Sequence, residues 1–260
     1  MKILHIRCQS AHLMALVLLM AAIITLPMPA FCITKTDADR AYKQGNFQQA
    51  ITDYRELLGH GQSAELYYNL GNAFYRTDSL TQAILAYERA ALLSPGDPDI
   101  RFNLQFARSK TIDKITPRSQ MFFVSWYWSI VNLTGVDSWA KIGIAAIVAA
   151  LLLMLAYLFA SHLSVRKAGF FGSVIFLIVF LLSGLFAWQQ KQLLERHCGA
   201  IITASSVGVK DTPVKSTADD FVLHEGTRVD ITDRGVKGWY GIRVADGREG
   251  WIPVDRVELI

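Results

Sequence analysis

Two long apolar runs close together constrain the fold of this 260-residue chain more than any other feature. Residues 142–160 carry no charged side chain, and neither do residues 168–188. Because a helix rises ~1.5 Å per residue, each run can cross a hydrocarbon core of roughly 30 Å once. The sequence therefore predicts transmembrane helices at about residues 140–161 and 168–188. The alternative is a buried helical hairpin in the core of a large soluble domain.

The short connection between these runs, residues 162–167, predicts their orientation. It contains Arg166 and Lys167 but no acidic residue, and Lys and Arg in short loops favour the cytoplasmic side of a membrane. Both flanking parts of the chain are then expected on the outer side. Trp139 and Trp188 fall at one predicted level, as an interfacial aromatic belt requires.

The first 32 residues have the features of a targeting segment. Two cationic residues precede an apolar core at residues 11–26, and a proline-rich end follows it. We interpret residues 1–32 as a signal peptide or an N-terminal signal anchor, and either form leaves the following residues outside. Cys32 raises the alternative of a lipoprotein, but the bulky Phe31 stands where a lipoprotein signal needs a small residue.

Charge and cysteine content exclude several function classes. The formal net charge is only +4, which is too balanced to indicate nucleic-acid binding. Cys8, Cys32 and Cys198 do not make a disulfide framework. Since the sequence has no phosphate loop and no hydrolase, zinc or redox motif, we expect no enzyme, no metal and no cofactor. An envelope redox enzyme using Cys198 is the remaining enzymatic alternative, and it lacks a second nearby thiol.

A pattern of aromatic and small residues repeats along residues 33–110. Its clearest unit starts at Ala64 and places characteristic residues at eight positions: Tyr67, Leu70, Gly71, Phe74, Ala83, Tyr87, Ala90 and Pro95. This unit resembles the tetratricopeptide repeat, a pair of helices with a period of about 34 residues. A second copy lies upstream and a partial third begins at Asp97, which gives two full repeats and one partial repeat.

The resemblance to tetratricopeptide repeats also implies a binding surface. In such arrays the first helix of each repeat lines a concave groove, and the corresponding positions here are Glu65, Tyr68, Asn72, Tyr75, Asp99, Phe102 and Phe106. We expect this groove to bind a peptide or a protein surface. Tyr68 replaces the Lys of the carboxylate-binding variant of the family, which argues against capture of a C-terminal carboxylate. The alternative is that Tyr68 and Phe102 only pack against the next helix.

Residues 111–138 connect the repeats to the apolar hairpin. Their aromatic run, which includes Phe122, Phe123 and Trp126, is too short to span a bilayer and suits a helix lying in the outer interface. Docking on the membrane helices of a partner is the alternative.

Residues 200–260 change to an alternation of apolar and polar residues, which is typical of strands, with a hairpin turn at Asp246-Gly247. The segment resembles the bacterial SH3-like domain at four characteristic positions: Gly226, Trp239, Gly250 and Trp251. This resemblance implies a small all-β barrel. It also suggests Trp239, Tyr240 and Trp251 as binding residues, and the alternative places the two tryptophans in the core.

The expected fold is therefore a multidomain membrane protein: an all-α tetratricopeptide repeat array, a transmembrane helical hairpin and a small all-β SH3-like barrel. This order resembles that of the BatE-like family of the Bacteroides aerotolerance operon. The resemblance implies a non-enzymatic scaffold or adaptor in the bacterial inner (cytoplasmic) membrane, with repeats and C-terminal domain in the periplasm. It also implies membrane proteins with von Willebrand factor A domains as partners. The alternative is an envelope sensor that binds peptidoglycan through its SH3-like domain.

Overall fold

A computed structural model describes residues 33–119, 121–196, 198–214 and 218–260. The predicted targeting segment at residues 1–32 lies outside the described residues, as do Cys8 and Cys32. From Lys35 to Ile260 the chain forms a single unit in which helices come first and a β-sheet follows.

Within residues 33–119 the chain forms five helices that pack in sequence order: α1 (Lys35–Lys43), α2 (Phe47–His60), α3 (Ala64–Arg76), α4 (Leu80–Leu93) and α5 (Pro98–Arg108). Small residues mark the close crossings. A Cβ at Gly71 would lie 2.6 Å from the ring of Tyr87, so only glycine lets α3 and α4 approach this closely. Asp97 caps α5 by accepting a hydrogen bond from the backbone N–H of Asp99 at 2.9 Å.

Three helices follow the repeats: α6 (Phe122–Val131), α7 (Val136–Phe159) and α8 (Leu163–Arg196). The long helices α7 and α8 pack along each other, and glycines on α8 allow the contact. A Cβ at Gly169 would lie 2.7 Å from the carbonyl oxygen of Leu153. The connection is residues 160–162, and Arg166 and Lys167 lie near the start of α8.

By length and composition, α7 and α8 could each cross a membrane. Only 17% of the apolar window of α7 and 11% of that of α8 are buried. Since most of their apolar side chains face outward, α7 and α8 do not form the core of a soluble domain of this chain. This exposure argues against the alternative of a buried soluble hairpin.

The described part of the chain after residue 198 contains seven strands: β1 (Gly199–Ile202), β2 (Ser206–Lys210), β3 (Asp219–His224), β4 (Arg228–Asp233), β5 (Trp239–Val244), β6 (Glu249–Pro253) and β7 (Val257–Leu259). They form one antiparallel sheet in the order β3-β2-β6-β5-β4-β1-β7. Asp246 and Gly247 form the turn between β5 and β6, where Gly247 has a φ of 94°.

The sheet is open, and in this respect it differs from the closed SH3-like barrel expected from the sequence. It ends at β3 and β7, and other parts of the chain contact both end strands. Asp113 of the linker accepts a hydrogen bond from the backbone N–H of His224 in β3 at 2.7 Å. Arg89 of α4 donates a hydrogen bond to the carbonyl oxygen of Leu259 in β7 at 2.7 Å. Each end strand thus has a contact with a part of the chain outside the sheet.

The sheet packs against the repeats, a contact that the sequence does not reveal. Ile201 of β1 and Ile260 belong to the same hydrophobic cluster as Ile84 of α4. Ala200 and Ile202, which flank Ile201 in β1, belong to the sheet's own core. Because successive side chains of a strand point to opposite faces, β1 contributes to both cores at once.

Candidate functional site

Two adjoining cavities lie along α1, α3 and α5, where the groove was predicted. The first, of about 260 Å³, is lined by charged and polar side chains. The second, of about 300 Å³, is lined mainly by aromatic side chains. Tyr42 and Asn72 line both cavities, which therefore form one continuous groove with a polar end and an aromatic end.

An ion-pair cluster forms the polar end of the groove. The Nζ of Lys35 lies 2.8 Å from a carboxylate oxygen of Asp39 and 2.8 Å from one of Glu65. Hydrogen bonds to these two carboxylates raise the pKa of Lys35. Burial opposes ionisation of Asp39, but hydrogen bonds from Lys35 and from the hydroxyl of Tyr54 outweigh it and lower the pKa of Asp39. Lys43 also lines this cavity, so two cations and two anions meet there and the polar end carries no net charge.

A hydrogen-bond network joins the middle of the groove. The side-chain oxygen of Asn72 accepts hydrogen bonds from the hydroxyl of Tyr87 at 2.7 Å and from the amide of Asn103 at 2.9 Å. The same amide of Asn103 donates to the hydroxyl of Tyr68 at 3.0 Å. Tyr68 and Asn72 therefore hold α3 to α4 and α5. For Tyr68, this supports the alternative that it packs against a neighbouring helix.

Tyr75, Phe102 and Phe106 form the aromatic end of the groove, which we call the aromatic shelf. The side chains of Phe102 and Phe106 are 68% and 44% exposed. Their ring centroids are 6.4 Å apart and the rings are nearly parallel. The ring of Tyr75 is tilted relative to that of Phe106, with centroids 5.7 Å apart. The exposure of Phe102 argues against a role in helix packing alone.

The opposite side of α5 is polar, and this makes the exposure of the shelf informative. In the preceding repeat, the residues that pack the two helices together are Tyr67, Gly71 and Phe74. The corresponding positions of α5 are Arg101, Gln105 and Arg108. Arg101 and Gln105 are exposed, and Arg108 pairs with Glu88 of α4. A polar outer face is typical of the last helix of a repeat array. The aromatic residues of α5 are therefore confined to its groove side.

The structure brings most of the predicted groove residues together. Glu65 and Asn72 line the polar cavity, and Asn72, Tyr75, Phe102 and Phe106 line the aromatic cavity. Asp99 is exposed at the start of α5 and lines neither cavity.

Sequence reasoning missed four groove residues on α1: Lys35, Asp39, Tyr42 and Lys43. They occupy, one repeat earlier, the positions of Tyr68, Asn72, Tyr75 and Arg76, so the repeat register could have identified them. The first repeat thus has the Lys that the carboxylate-binding variant needs, but Asp39 stands where that variant has Asn. A carboxylate beside Lys35 argues further against capture of a C-terminal carboxylate.

In the sheet, the predicted binding residues are less available. Trp239 is buried with only 8% exposure, and Trp251 is half-buried opposite Gly241. Tyr240 is also half-buried, with the guanidinium of Arg234 5.9 Å from its ring centroid. The burial of Trp239 supports the alternative of a core residue.

No candidate catalytic or metal centre emerges from the described residues. Among them, no three His, Cys, Asp or Glu side chains come together in an arrangement that could hold a metal ion. Cys198 is the one cysteine in the described part of the chain, and its thiol is half-buried and unbridged.

A tetratricopeptide repeat family model matches residues 36–98, which include α2 to α4 and all of α1 except its first residue. No curated protein matches the chain. The match agrees with the helical pairs, the small residues at their crossings and the groove described above. The N-terminal helical region is therefore tetratricopeptide-like, and repeats of this kind are typically protein-binding scaffolds.

Proposed function

We propose that this protein is a membrane-anchored adaptor without catalytic activity, and that its repeat groove binds a segment of a partner protein. The observation that carries this proposal is the aromatic shelf. Phe102 and Phe106 are exposed on the groove side of α5, whereas the other free side of the same helix is polar. An aromatic surface confined to a concave face is typical of a binding site, since burial of aromatic side chains dominates interface energetics.

The two ends of the groove favour different parts of such a ligand. Covering one aromatic side chain contributes ~1.5–3 kcal/mol, so the shelf favours an aromatic or large aliphatic side chain of the partner. The other end favours a polar or charged group, because side chains of both signs line it: Lys35 and Lys43 beside Asp39 and Glu65. The ligand class is therefore an amphipathic protein segment.

We also propose that α7 and α8 cross the bacterial inner membrane, with the repeats and the sheet in the periplasm. The exposed apolar faces of both helices support the crossing, and Arg166 and Lys167 at the connecting end support its orientation. In this arrangement the groove is presented to membrane proteins with periplasmic domains.

The C-terminal sheet is proposed to be an open relative of the SH3-like domain that supports the repeat array. Its contacts with α4 support this role, and the burial of Trp239 leaves less aromatic surface for a separate ligand. The order of segments supports one further proposal: the partners are von Willebrand factor A membrane proteins of an aerotolerance operon, with a role in oxidative or envelope stress.

Photo-crosslinking in membranes tests the groove. A photoreactive phenylalanine derivative replaces Phe102 in the full-length chain, and the matched control carries it in place of Arg101 on the polar side of α5. We expect position 102, but not position 101, to crosslink a membrane protein with a periplasmic domain. We expect Phe106→Ala to reduce the yield by about tenfold, which corresponds to ~1.4 kcal/mol.

These replacements leave the internal network intact, because Tyr68 and Asn72 are unchanged. Equal products from both positions, or a yield at position 102 that Phe106→Ala does not change, would contradict the groove assignment. Retention of the full-length chain on purified peptidoglycan, with no groove crosslink, would favour the envelope-sensor alternative.

A further inference from the structure

Helix α6 exposes an unusual amount of aromatic surface. Phe122 is 85% exposed, Phe123 53% and Trp126 67%. Leu133, just after the helix, is 66% exposed. A patch of this kind next to other exposed apolar surface marks an interaction site on a protein.

The exposed residues of α6 have an amphipathic arrangement. At about 100° per residue, Phe122 and Trp126 lie within roughly 40° of each other around the helix. Ser125 and Ser129 are also exposed and lie along one edge of this apolar stripe. The hydroxyl of Ser129 donates to the carbonyl oxygen of Ser125 at 2.8 Å, so this edge is polar. An apolar stripe bordered by hydroxyls suits a helix that lies flat between hydrocarbon and water.

The other side of α6 is fixed to the long helices. Tyr127 donates a hydrogen bond to the side-chain oxygen of Gln189. Its ring packs edge-on against Phe186, with the two ring centroids 6.1 Å apart. The buried Gln190 of α8 donates from its amide to the carbonyl oxygens of Val131 at 2.7 Å and Thr134 at 2.8 Å. These contacts hold α6 at the outer end of α8.

Helix α6 lies beside the start of α7 and the C-terminal part of α8, where their apolar runs end. Trp139 at the start of α7 donates from its indole N–H to the carbonyl oxygen of Val131 at 2.9 Å. Trp188, 58% exposed on α8, lies next in sequence to Gln189, the partner of Tyr127. Tryptophans are enriched at the membrane–water interface, so both mark the level at which hydrocarbon would end.

We infer that α6 is a membrane-surface helix whose exposed aromatic face contacts lipid at the outer interface of the bilayer. The lipid surface is favoured over a protein partner because α6 is held beside α7 and α8, whose apolar side chains mostly face outward. The inference rests on the proposal that α7 and α8 cross a membrane. Lipid contact by α6 is a separate claim, because a spanning hairpin does not require it.

Contact of α6 with lipid would also place the repeat array close to the bilayer surface. A Cβ at Gly96, between α4 and α5, would clash with the carbonyl oxygen of Leu133. A Cβ at Gly135 would lie 2.7 Å from the carbonyl oxygen of Leu93. These backbone contacts fix the repeats directly on the turn that follows α6. The groove ligand is then expected to be a segment close to the membrane surface.

Fluorescence quenching of the full-length protein in phosphatidylcholine vesicles tests the lipid contact. In a Cys8→Ser, Cys32→Ser, Cys198→Ser background, an environment-sensitive dye is attached at Trp126→Cys. Leu155→Cys, exposed within the apolar run of α7, reports the crossing, and Arg101→Cys on α5 is the water-facing control. Quenchers are aqueous iodide and lipids spin-labelled near the headgroup or near the chain end.

We expect the dye at position 126 to lose more fluorescence to the shallow lipid label than to the deep one, and to be shielded from iodide. Position 155 should respond most to the deep label, and position 101 to iodide only. Iodide access at position 126 with deep quenching at position 155 would overturn the role of α6 while leaving the crossing intact. Shielding of position 126 from iodide and from both lipid labels would overturn it in favour of a second copy of the chain. Absence of lipid quenching at position 155 would overturn the crossing itself.

Discussion

The two faces of the repeat array differ in what covers their apolar side chains. On the back face, formed by α4, Ile84 is fully buried in a cluster that includes Ile201 and Ile260 of the C-terminal sheet. In the groove, Phe102 and Phe106 belong to the same array but remain exposed. The chain thus covers its back face itself and leaves its aromatic groove open. The aromatic side chains of the groove are therefore exposed although other apolar side chains of the same array are covered by the C-terminal sheet.

The largest expected effect is on the back face, where Ile201→Ala should loosen the repeats from the side of the sheet. Ile201 is fully buried, and replacing a buried Ile by Ala costs ~2–5 kcal/mol because transfer energy and packing are both lost. We expect the free energy of local opening of α4 to fall by this amount. Amide hydrogen exchange of the full-length protein in lipid nanodiscs measures it.

Val222→Ala is the matched control, because Val222 lies in the same sheet but is 47% exposed. It should change the exchange of α4 by less than ~0.5 kcal/mol. If Ile201→Ala accelerates exchange in the strands but leaves α4 unchanged, the sheet does not cover the back face and the comparison fails.

A smaller effect is expected at Asp113, which joins the end of the array to the sheet. Its carboxylate accepts hydrogen bonds from the backbone N–H of His224 and the hydroxyl of Thr227, both at 2.7 Å, and lies 2.8 Å from the Nδ1 of His224. Asp113→Ala leaves these groups without their acceptor, at a cost of ~1–3 kcal/mol. Hydrogen exchange at the β3–β4 turn should rise accordingly.

The same contact predicts a pH dependence. Burial opposes ionisation of Asp113, but the hydrogen bonds from His224 and Thr227 outweigh it and lower the pKa of Asp113 below its usual value of 3.8. A lowered pKa in the folded state means that this contribution to stability is complete above about pH 4 and is lost as the pH falls through the folded-state pKa. Asp113→Ala should therefore reduce the fall in the free energy of unfolding as the pH drops. Denaturant unfolding, monitored by hydrogen exchange at the β3–β4 turn, measures this fall.

Asp220→Asn is the control for this experiment, since Asp220 is an exposed acid on the neighbouring strand β3. Its acid limb should match that of the unchanged protein. An equal flattening by Asp113→Ala and Asp220→Asn would show that the general charge of the sheet, and not the Asp113 contact, determines the pH dependence.

The sequence predicts those parts of the fold that follow from a local period. Ala83 and Tyr87 identify the helical pairs because Ala50 and Tyr54 repeat them 33 residues earlier. The length of the apolar runs identifies α7 and α8. The shelf residues Phe102 and Phe106 follow from the same register. The charged groove residues of α1 follow from it too, but the first repeat lacks most of the characteristic residues that draw attention to it.

Contacts between distant segments could not be predicted, because they leave no period in the sequence. Asp113 and His224 are far apart along the chain, and neither residue type signals a partner. The same holds for Arg89, which contacts the last strand. The exposure of Phe102 also required the structure, since an aromatic residue at this register fits packing and binding equally well.

The smallest expected effect on stability is in the groove itself. Phe102→Ala should lower the free energy of unfolding of the repeats by less than ~1 kcal/mol, because its side chain is mostly exposed and little packing is lost. Phe74→Ala, at a residue only 6% exposed in the core of the same array, should cost ~3–5 kcal/mol. Denaturant unfolding monitored by hydrogen exchange of α3 and α5 measures both changes. If Phe102→Ala destabilises the repeats as much as Phe74→Ala does, Phe102 is a structural residue and the groove loses its clearest sign of a ligand. A small cost, together with the loss of crosslinking on Phe106→Ala, would separate binding from folding.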